Sequence, residues 1–200
     1  MTRVLAAGGL GYLTGSIPFA DVAARLASGG STDLRTAGSG NPGAANAIAV
    51  LGPGWGYAVL AADVAKGALA CRAGRAIAGD RGSHAAGVAA VAGHCFPWHN
   101  GFKGGKGVAA SAGQCLATFP AYFPIDMAVA ALTSTGGWKQ RAYATTAVAS
   151  LTWVAAGVIW WRRDWPNFWG PKPTGDLPVA AAATGAMIIY RFATAAPRAA

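Results

Sequence analysis

The sequence predicts an all-α, polytopic integral membrane protein. About seven transmembrane helices joined by glycine-rich loops are expected, in a single domain covering residues 1–200. Three observations carry this reading. Hydrophobic residues reach 54% and charged ones only 12%, where soluble domains carry roughly 25% charged residues. Apolar runs of near-spanning length recur along the chain, and a helix needs about 20 such residues to cross a bilayer. Trp55, Trp98, Trp138, Trp160 and Trp161 fall at the ends of these runs, where interfacial aromatics gather. A soluble alanine-rich bundle would explain the composition but not the tryptophans. The 29 glycines suit close helix contact in lipid.

The first run, residues 4–26, follows one basic residue, Arg3, and continues past residue 20 without a clear cleavage site. It reads as a spanning helix rather than a removable leader, interrupted near its end by Pro18, Asp21 and Arg25. Residues 28–54 form a polar, glycine-rich stretch. Residues 55–71 make a second span carrying Asp63 and Lys66, and residues 84–98 a shorter third. Residues 107–118 are too short to cross alone and are expected to tilt or to sink within protein. Residues 120–135, 144–161 and 177–190 complete the series. Seven spans place Lys103, Lys139 and Arg191 on one side and Arg75 and Lys172 on the other. Basic residues divide almost evenly between the sides, so charge alone assigns no orientation.

The formal net charge of +9 fits nucleic acid, an anionic lipid surface or a small anionic substrate. Because the basic residues are scattered singly rather than drawn into a stripe, nucleic acid is excluded as a partner. Cys71, Cys95 and Cys115 form no CxxC pair and read as small buried side chains.

Two segments carry chemistry. In the first, from Asp33 to Asn46, Gly38, Gly40 and Gly43 let the backbone turn so that N–H groups converge on an anion. Ser39, Asn41 and Asn46 add neutral donors there, and Arg35 adds a charged fork. Gly38-x-Gly40-x-x-Gly43 also matches the dinucleotide fingerprint, but no apolar strand precedes it, so that match is rejected. The second segment joins Gly93-His94-Cys95-Phe96-Pro97 to Gly101-Phe102-Lys103-Gly104-Gly105-Lys106-Gly107. It fails the Walker A pattern at Asn100 and Gly107. What remains is a glycine-flanked lysine pair before an apolar run, able to aim amides and an ammonium at a phosphate. His94 and His99 lack the companions a metal site needs. Asp63 and Lys66 lie one helical turn apart, and a structural ion pair and a site role stay equally open for them.

Taken with Tyr12-Leu13-x-Gly15-Ser16-Ile17-Pro18-Phe19 and Asp63-x-x-Lys66-Gly67, these segments resemble the bacterial acyl-phosphate-dependent glycerol-3-phosphate acyltransferases (PlsY type). The resemblance runs in order from residue 12 to 108, and residues 101–108 are its most specific part. It implies a multi-pass enzyme of lipid metabolism in the bacterial inner membrane, with glycine-rich loops and active site facing the cytoplasm. It implies transfer of a fatty acyl chain from acyl phosphate to glycerol 3-phosphate or a related polyol phosphate. The products would be lysophosphatidate and inorganic phosphate, and neither a cofactor nor a metal is implied. Two anions sharing one pocket need fixed donors and cations to offset their repulsion, and the reaction needs alignment more than a side-chain nucleophile. Ser39, Asn41 and Lys106 are the catalytic candidates. Ser16, Arg35, Gly38, Gly40, Gly43, Asn46, His94, Lys103, Gly104 and Gly105 are the substrate-binding candidates.

The second half departs from the family pattern. Where the family reads Tyr-Arg-His followed by an Asn three residues on, this chain has Tyr190-Arg191-Phe192 and Ala195. An Arg expected three residues after Asn46 is Ala49, and Tyr143-Ala144-Thr145-Thr146 matches only loosely. Weak or absent activity towards glycerol 3-phosphate, with acyl-phosphate binding retained, is therefore expected. The alternative is a non-catalytic membrane paralogue that binds phosphate or acyl phosphate. A small anion transporter would predict an internal inverted repeat, which the sequence lacks.

Overall fold

The computed structural model describes residues 1–134 and 141–194, all helix and loop. The first expected span is two helices, α1 (Thr2–Gly15) and α2 (Phe19–Ser28). Pro18 is the cause, since its ring supplies no N–H and drives the preceding residue out of helical backbone. The polar stretch that follows contains a short helix, α3 (Ala44–Leu51).

The second and third spans lie in one run, α4 (Pro53–Cys95), broken by non-helical backbone at Ala78 and Gly79. Its arms, 53–77 and 80–95, fold back on each other with Gly74 packed against Gly82. Both arms run beyond the apolar segments because charges near the reversal find partners. Arg75 pairs with Asp80 at 3.0 Å, and Arg81 with Asp176 at 3.2 Å. After a tight turn at Trp98–Asn100 comes α5 (Val108–Thr118), short as expected and sunk in protein, with Ala110 and Cys115 fully buried. Three more helices follow, α6 (Phe123–Ser134), α7 (Arg141–Arg163) and α8 (Asp176–Ala193). They match the last three expected spans with ends moved by a few residues. Among the described residues, Tyr143–Arg163 is the one stretch that is by itself long and apolar enough to cross a bilayer.

Much of the helix contact is made by small residues, while several large aliphatic ones face outward. Ala7, Ala86, Ala90, Ala110 and the three free cysteines are buried, whereas Leu5, Leu13, Leu69, Leu151 and Val179 are more than half exposed. Leu34, Val59, Phe119, Tyr122 and Leu177 are buried as well, but small residues at the helix contacts and branched ones left exposed suit a lipid-facing bundle held by close backbone approach. Trp55, Trp98 and Trp161 are exposed as interfacial residues would be. Trp160 instead packs edge-on against Phe119 and Trp165, and Trp138 lies outside the described residues.

The basic residues expected on separate sides fall into two separate groups. At one, the Arg75 guanidinium donates to the Trp169 carbonyl (2.9 Å) and the Lys172 amide to Asp80 (3.2 Å). At the other, Arg191 donates to the carbonyls of Gly104 and Gly105, beside Lys103. Lys139 lies outside the described residues.

The α1–α4 contact is the tightest test of this packing. A Cβ at Gly15 would enter the Ala90 backbone, and one at Gly11 the Ala86 backbone, while Gly8 has nothing within 4 Å. Gly15→Ala is therefore expected to lower stability in detergent by about 1–3 kcal/mol, the usual scale of overpacking. Gly8→Ala is expected to leave it unchanged or slightly raised. Thermal unfolding of the two variants checks this, and equal melting temperatures would contradict the packing described.

Candidate active site

The site is built around the break between α1 and α2. Beyond the end of α1 the Ser16 and Ile17 carbonyls point away from any helical ladder. Lys66 Nζ donates to the Ile17 carbonyl at 3.0 Å, and His99 Nε2 lies 2.8 Å from the Ser16 carbonyl, a donor in the tautomer protonated there. Lys66 and Asp63 are almost wholly buried, with Nζ and Oδ1 2.8 Å apart. His94, from the other arm of α4, brings Nδ1 to 3.6 Å from the same carboxylate oxygen. A buried ion pair persists only when further hydrogen bonds satisfy it, and the Ile17 carbonyl is that further partner. Asp63 and Lys66 form a structural pair, and both also line a small cavity of about 30 Å³ beside the break. Ser16, Asp21, Arg35, Pro42, His94, Gly104 and Gly105 line it too.

Asn46 organises the first loop. Its buried amide donates to the Leu34 and Ala37 carbonyls at 2.9 and 3.1 Å, and its oxygen accepts from the Ser39 amide. Gly38 (φ 54°) and Gly40 (φ 66°) take left-handed backbone, and a Cβ at Gly38 would meet Asn46 and Val50. The amides of Ser39, Gly40 and Gly43 bond within the loop itself. The nest expected from the glycines is therefore not open at these three amides. The first turn of α3 directly after Gly43 carries no side-chain cap, so its N–H groups are the open ones. Ser39 is exposed, and its hydroxyl lies 3.4 Å from the Asn41 amide.

Arg35 forms a two-bond fork on Asp21, at 2.7 and 2.8 Å, with Asp33 3.6 Å away. The hydrogen bonds to Asp21 are the main reason its pKa is raised, outweighing partial burial. This pair forms a wall shared with a second, polar cleft of about 530 Å³, lined also by Arg25, Thr32, His99 and Asn100.

The second loop packs onto the first. The Gly104 and Gly105 amides donate to the Cys95 and His94 carbonyls, each at 3.1 Å. A Cβ at Gly105 would strike the His94 ring and sit 3.1 Å from the Pro42 carbonyl. Two loops some sixty residues apart in sequence thus meet in space. Arg191 grips the second loop from α8, donating to the Gly104 carbonyl at 2.6 Å and to the Gly105 carbonyl at 3.1 Å. Lys106 places Nζ 4.1 Å from the centroid of the Phe192 ring, and Lys103 is exposed.

Five candidates therefore line the cavity, namely Ser16, Arg35, His94, Gly104 and Gly105. Gly38, Gly40, Gly43 and Asn46 shape the first loop. Ser39, Asn41, Lys103 and Lys106 stand outside the cavity lining. Asp21, as an ionisable residue in an apolar run already a functional candidate in the sequence, pairs with Arg35, whereas the hold of Arg191 on the second loop has no signal beyond its place in Tyr190-Arg191. Ala49 lies on the exposed face of α3, and Ala195 lies outside the described residues. Among the described residues no three His, Cys or Asp side chains gather as a metal site would need.

Comparison with known proteins gives a consistent picture. The family model described as glycerol-3-phosphate acyltransferase matches residues 5–199. A glycerol-3-phosphate acyltransferase of Jannaschia sp. is 40% identical over 149 residues, covering 74% of this chain and 71% of that protein. One from Pseudomonas putida KT2440 is 37% identical over 187 residues, 91% of this chain and 88% of that protein. The crystal structure of PlsY, an integral membrane glycerol 3-phosphate acyltransferase, superposes in its glycerol 3-phosphate form with a TM-score of 0.76. Identity there is 30%, over 94% of this chain and 87% of that one. Its lysophosphatidic acid form gives a TM-score of 0.72 over the same coverage.

The buried pair yields a stability test. Lys66→Ala would leave Asp63 with only the more distant His94 and the Ile17 carbonyl with only the Phe19 amide, at an expected cost of up to about 3–5 kcal/mol, the scale for breaking a buried pair. Replacing both charges, as Asp63→Leu with Lys66→Met, is expected to cost less than the single change. Denaturant unfolding of the two variants decides it, and a Lys66→Ala protein as stable as the parent would rule out this role for the pair.

Proposed function

This chain belongs to the glycerol-3-phosphate acyltransferase family, and from that premise we propose that it transfers a fatty acyl group from acyl phosphate to glycerol 3-phosphate. The observation that carries the donor half of this reading is the meeting of two glycine loops, with Arg35, Lys106 and Arg191 near them, at a helix break in an apolar bundle. Such a place is dry enough to strengthen charge interactions and cationic enough to hold an anion.

In the proposed reaction the glycerol 1-hydroxyl oxygen attacks the acyl carbon, and the bond from that carbon to the bridging phosphate oxygen breaks. Inorganic phosphate leaves, and its own oxygen takes the hydroxyl proton, so no protein nucleophile is required. The open first turn of α3, Arg35, and Lys106 are proposed to hold the phosphates. Arg35 exchanges its fork from Asp21 to a substrate oxygen, a geometry suited to both groups. Ser39 and Asn41 are proposed to add neutral donors at the first loop, and Lys103 at the second. The soluble acceptor enters through the polar cleft beside Asp21 and Arg35, while the acyl chain stays in lipid. That end of the bundle is proposed to face the cytoplasm from the inner membrane.

Phe192 offers no hydrogen-bond donor where the family pattern has His. Turnover of glycerol 3-phosphate is therefore expected to run about ten- to a hundredfold below that of a histidine-bearing relative, the scale of one lost bond to a charged group. Side-by-side kcat/KM values check this.

The main test uses purified protein in lipid vesicles with palmitoyl phosphate and glycerol 3-phosphate. Lysophosphatidate and inorganic phosphate are expected in equal amounts, with phosphate release dependent on the acceptor. Bound but unreacted acyl phosphate would instead favour a non-catalytic paralogue. Lys106→Ala is expected to lower kcat/KM for palmitoyl phosphate about ten- to a hundredfold. Lys172→Ala, an exposed charge at the far end, is expected to change it by less than about twofold. Equal effects would reduce Lys106 to one charge in a diffuse basic surface.

A further inference from the structure

The geometry points to Phe192 as a positioning residue for the transfer, its ring being the seat that fixes the Lys106 ammonium at the phosphate site. This rests on the reading of Lys106 given above. The ammonium lies 4.1 Å from the ring centroid, well inside the roughly 6 Å over which an aromatic face attracts a cation. The ring is itself held in place, packed against the buried cluster of Val91, Cys95, Ala110 and Ile188. One residue earlier, Arg191 binds the carbonyls of Gly104 and Gly105 and lies 5.5 Å over the Phe96 ring. Two successive side chains of α8 therefore hold one loop, Arg191 by its backbone and Phe192 by its lysine.

The chemistry of the seat matters. A lysine carries its charge on a flexible four-carbon stem, and ordering that stem only when substrate arrives would cost affinity. An aromatic face attracts a cation while accepting no strong hydrogen bond from it. Gly107, left-handed at φ 89°, follows directly, and a Cβ there would meet Cys95 and Val91. The loop therefore holds its glycine and its lysine against the same buried cluster.

The test varies the face of the ring while keeping its shape. Phe192 is replaced by 4-fluoro-, 3,5-difluoro- and 3,4,5-trifluorophenylalanine, which weaken the negative face in steps at nearly constant size. KM for palmitoyl phosphate is expected to rise with each fluorine, its logarithm following the loss of cation attraction. Phe192→Leu is expected at the end of the series, about three- to thirtyfold above the parent, and Phe192→Tyr close to the parent. Binding of inorganic phosphate, followed by 31P NMR titration, is expected to give the same order whether or not the chain turns over. A flat fluorine series alongside a weakened Lys106→Ala protein would overturn the role of Phe192 and leave the proposed function standing. A Lys106→Ala protein with unchanged phosphate binding would remove the group being positioned, and would overturn both.

Discussion

Lys66 sits 3% exposed in a bundle built largely of alanine and glycine, with Asp63 2.8 Å away on its own helix and the Ile17 carbonyl 3.0 Å away. Backbone that leaves a helix within an apolar layer survives only where protein satisfies its polar groups. Pro18 forces such a departure, and the ammonium of Lys66 makes it tolerable. The remainder of the site follows from that interaction. The broken segment opens the cavity, the second arm of α4 brings His94 to the same carboxylate, and the two glycine loops close over what is left. A continuous helix here would fill the space where the substrates are proposed to meet.

Close backbone approach is the second constraint, and it links fold to site. Gly11, Gly15 and Gly93 bring α1 against the second arm of α4, and Gly67 and Gly113 bring the first arm against α5. The loop after Cys95 is tied by hydrogen bonds from its Gly104 and Gly105 amides to the carbonyls of Cys95 and His94, so it inherits the position of that arm. The end of α8 then fixes the same loop from the other side through Arg191. A stretch rich in glycine is thereby held from two directions, which lets it present a cation without wandering.

Much of this was legible in the sequence, for physical reasons that also explain what was not. Among the described residues each expected apolar run is mostly helical, because hydropathy reports burial in lipid or protein equally well. Hydropathy averages over single residues, however, so the run over 4–26 hid the break that Pro18 imposes. The reversal at Ala78 and Gly79 carries no proline, and glycine is too common in this chain to mark a turn. The order of the motifs pointed to two loops that do meet in space, yet Asn46 is an internal brace of the first rather than an open donor, because its amide bonds to carbonyls nine and twelve residues away. Asp21 and Arg35 are fourteen residues apart, and nothing local announces their pairing. Phe192 looked like the loss of a histidine until its ring was seen over Lys106.

The central claim is that one phosphate-binding place lies where the two glycine loops meet the broken helix. A crystal structure of the protein with an uncleavable acyl phosphonate and glycerol 3-phosphate tests it most directly. The phosphonate and phosphate oxygens are expected within hydrogen-bond distance, about 3 Å, of the Arg35 guanidinium, the first amides of α3 and the Lys106 ammonium, with Asp21 released from Arg35. Anions bound instead at the opposite end, among Arg72, Arg75 and Lys172, with the Asp21–Arg35 pair intact, would contradict it.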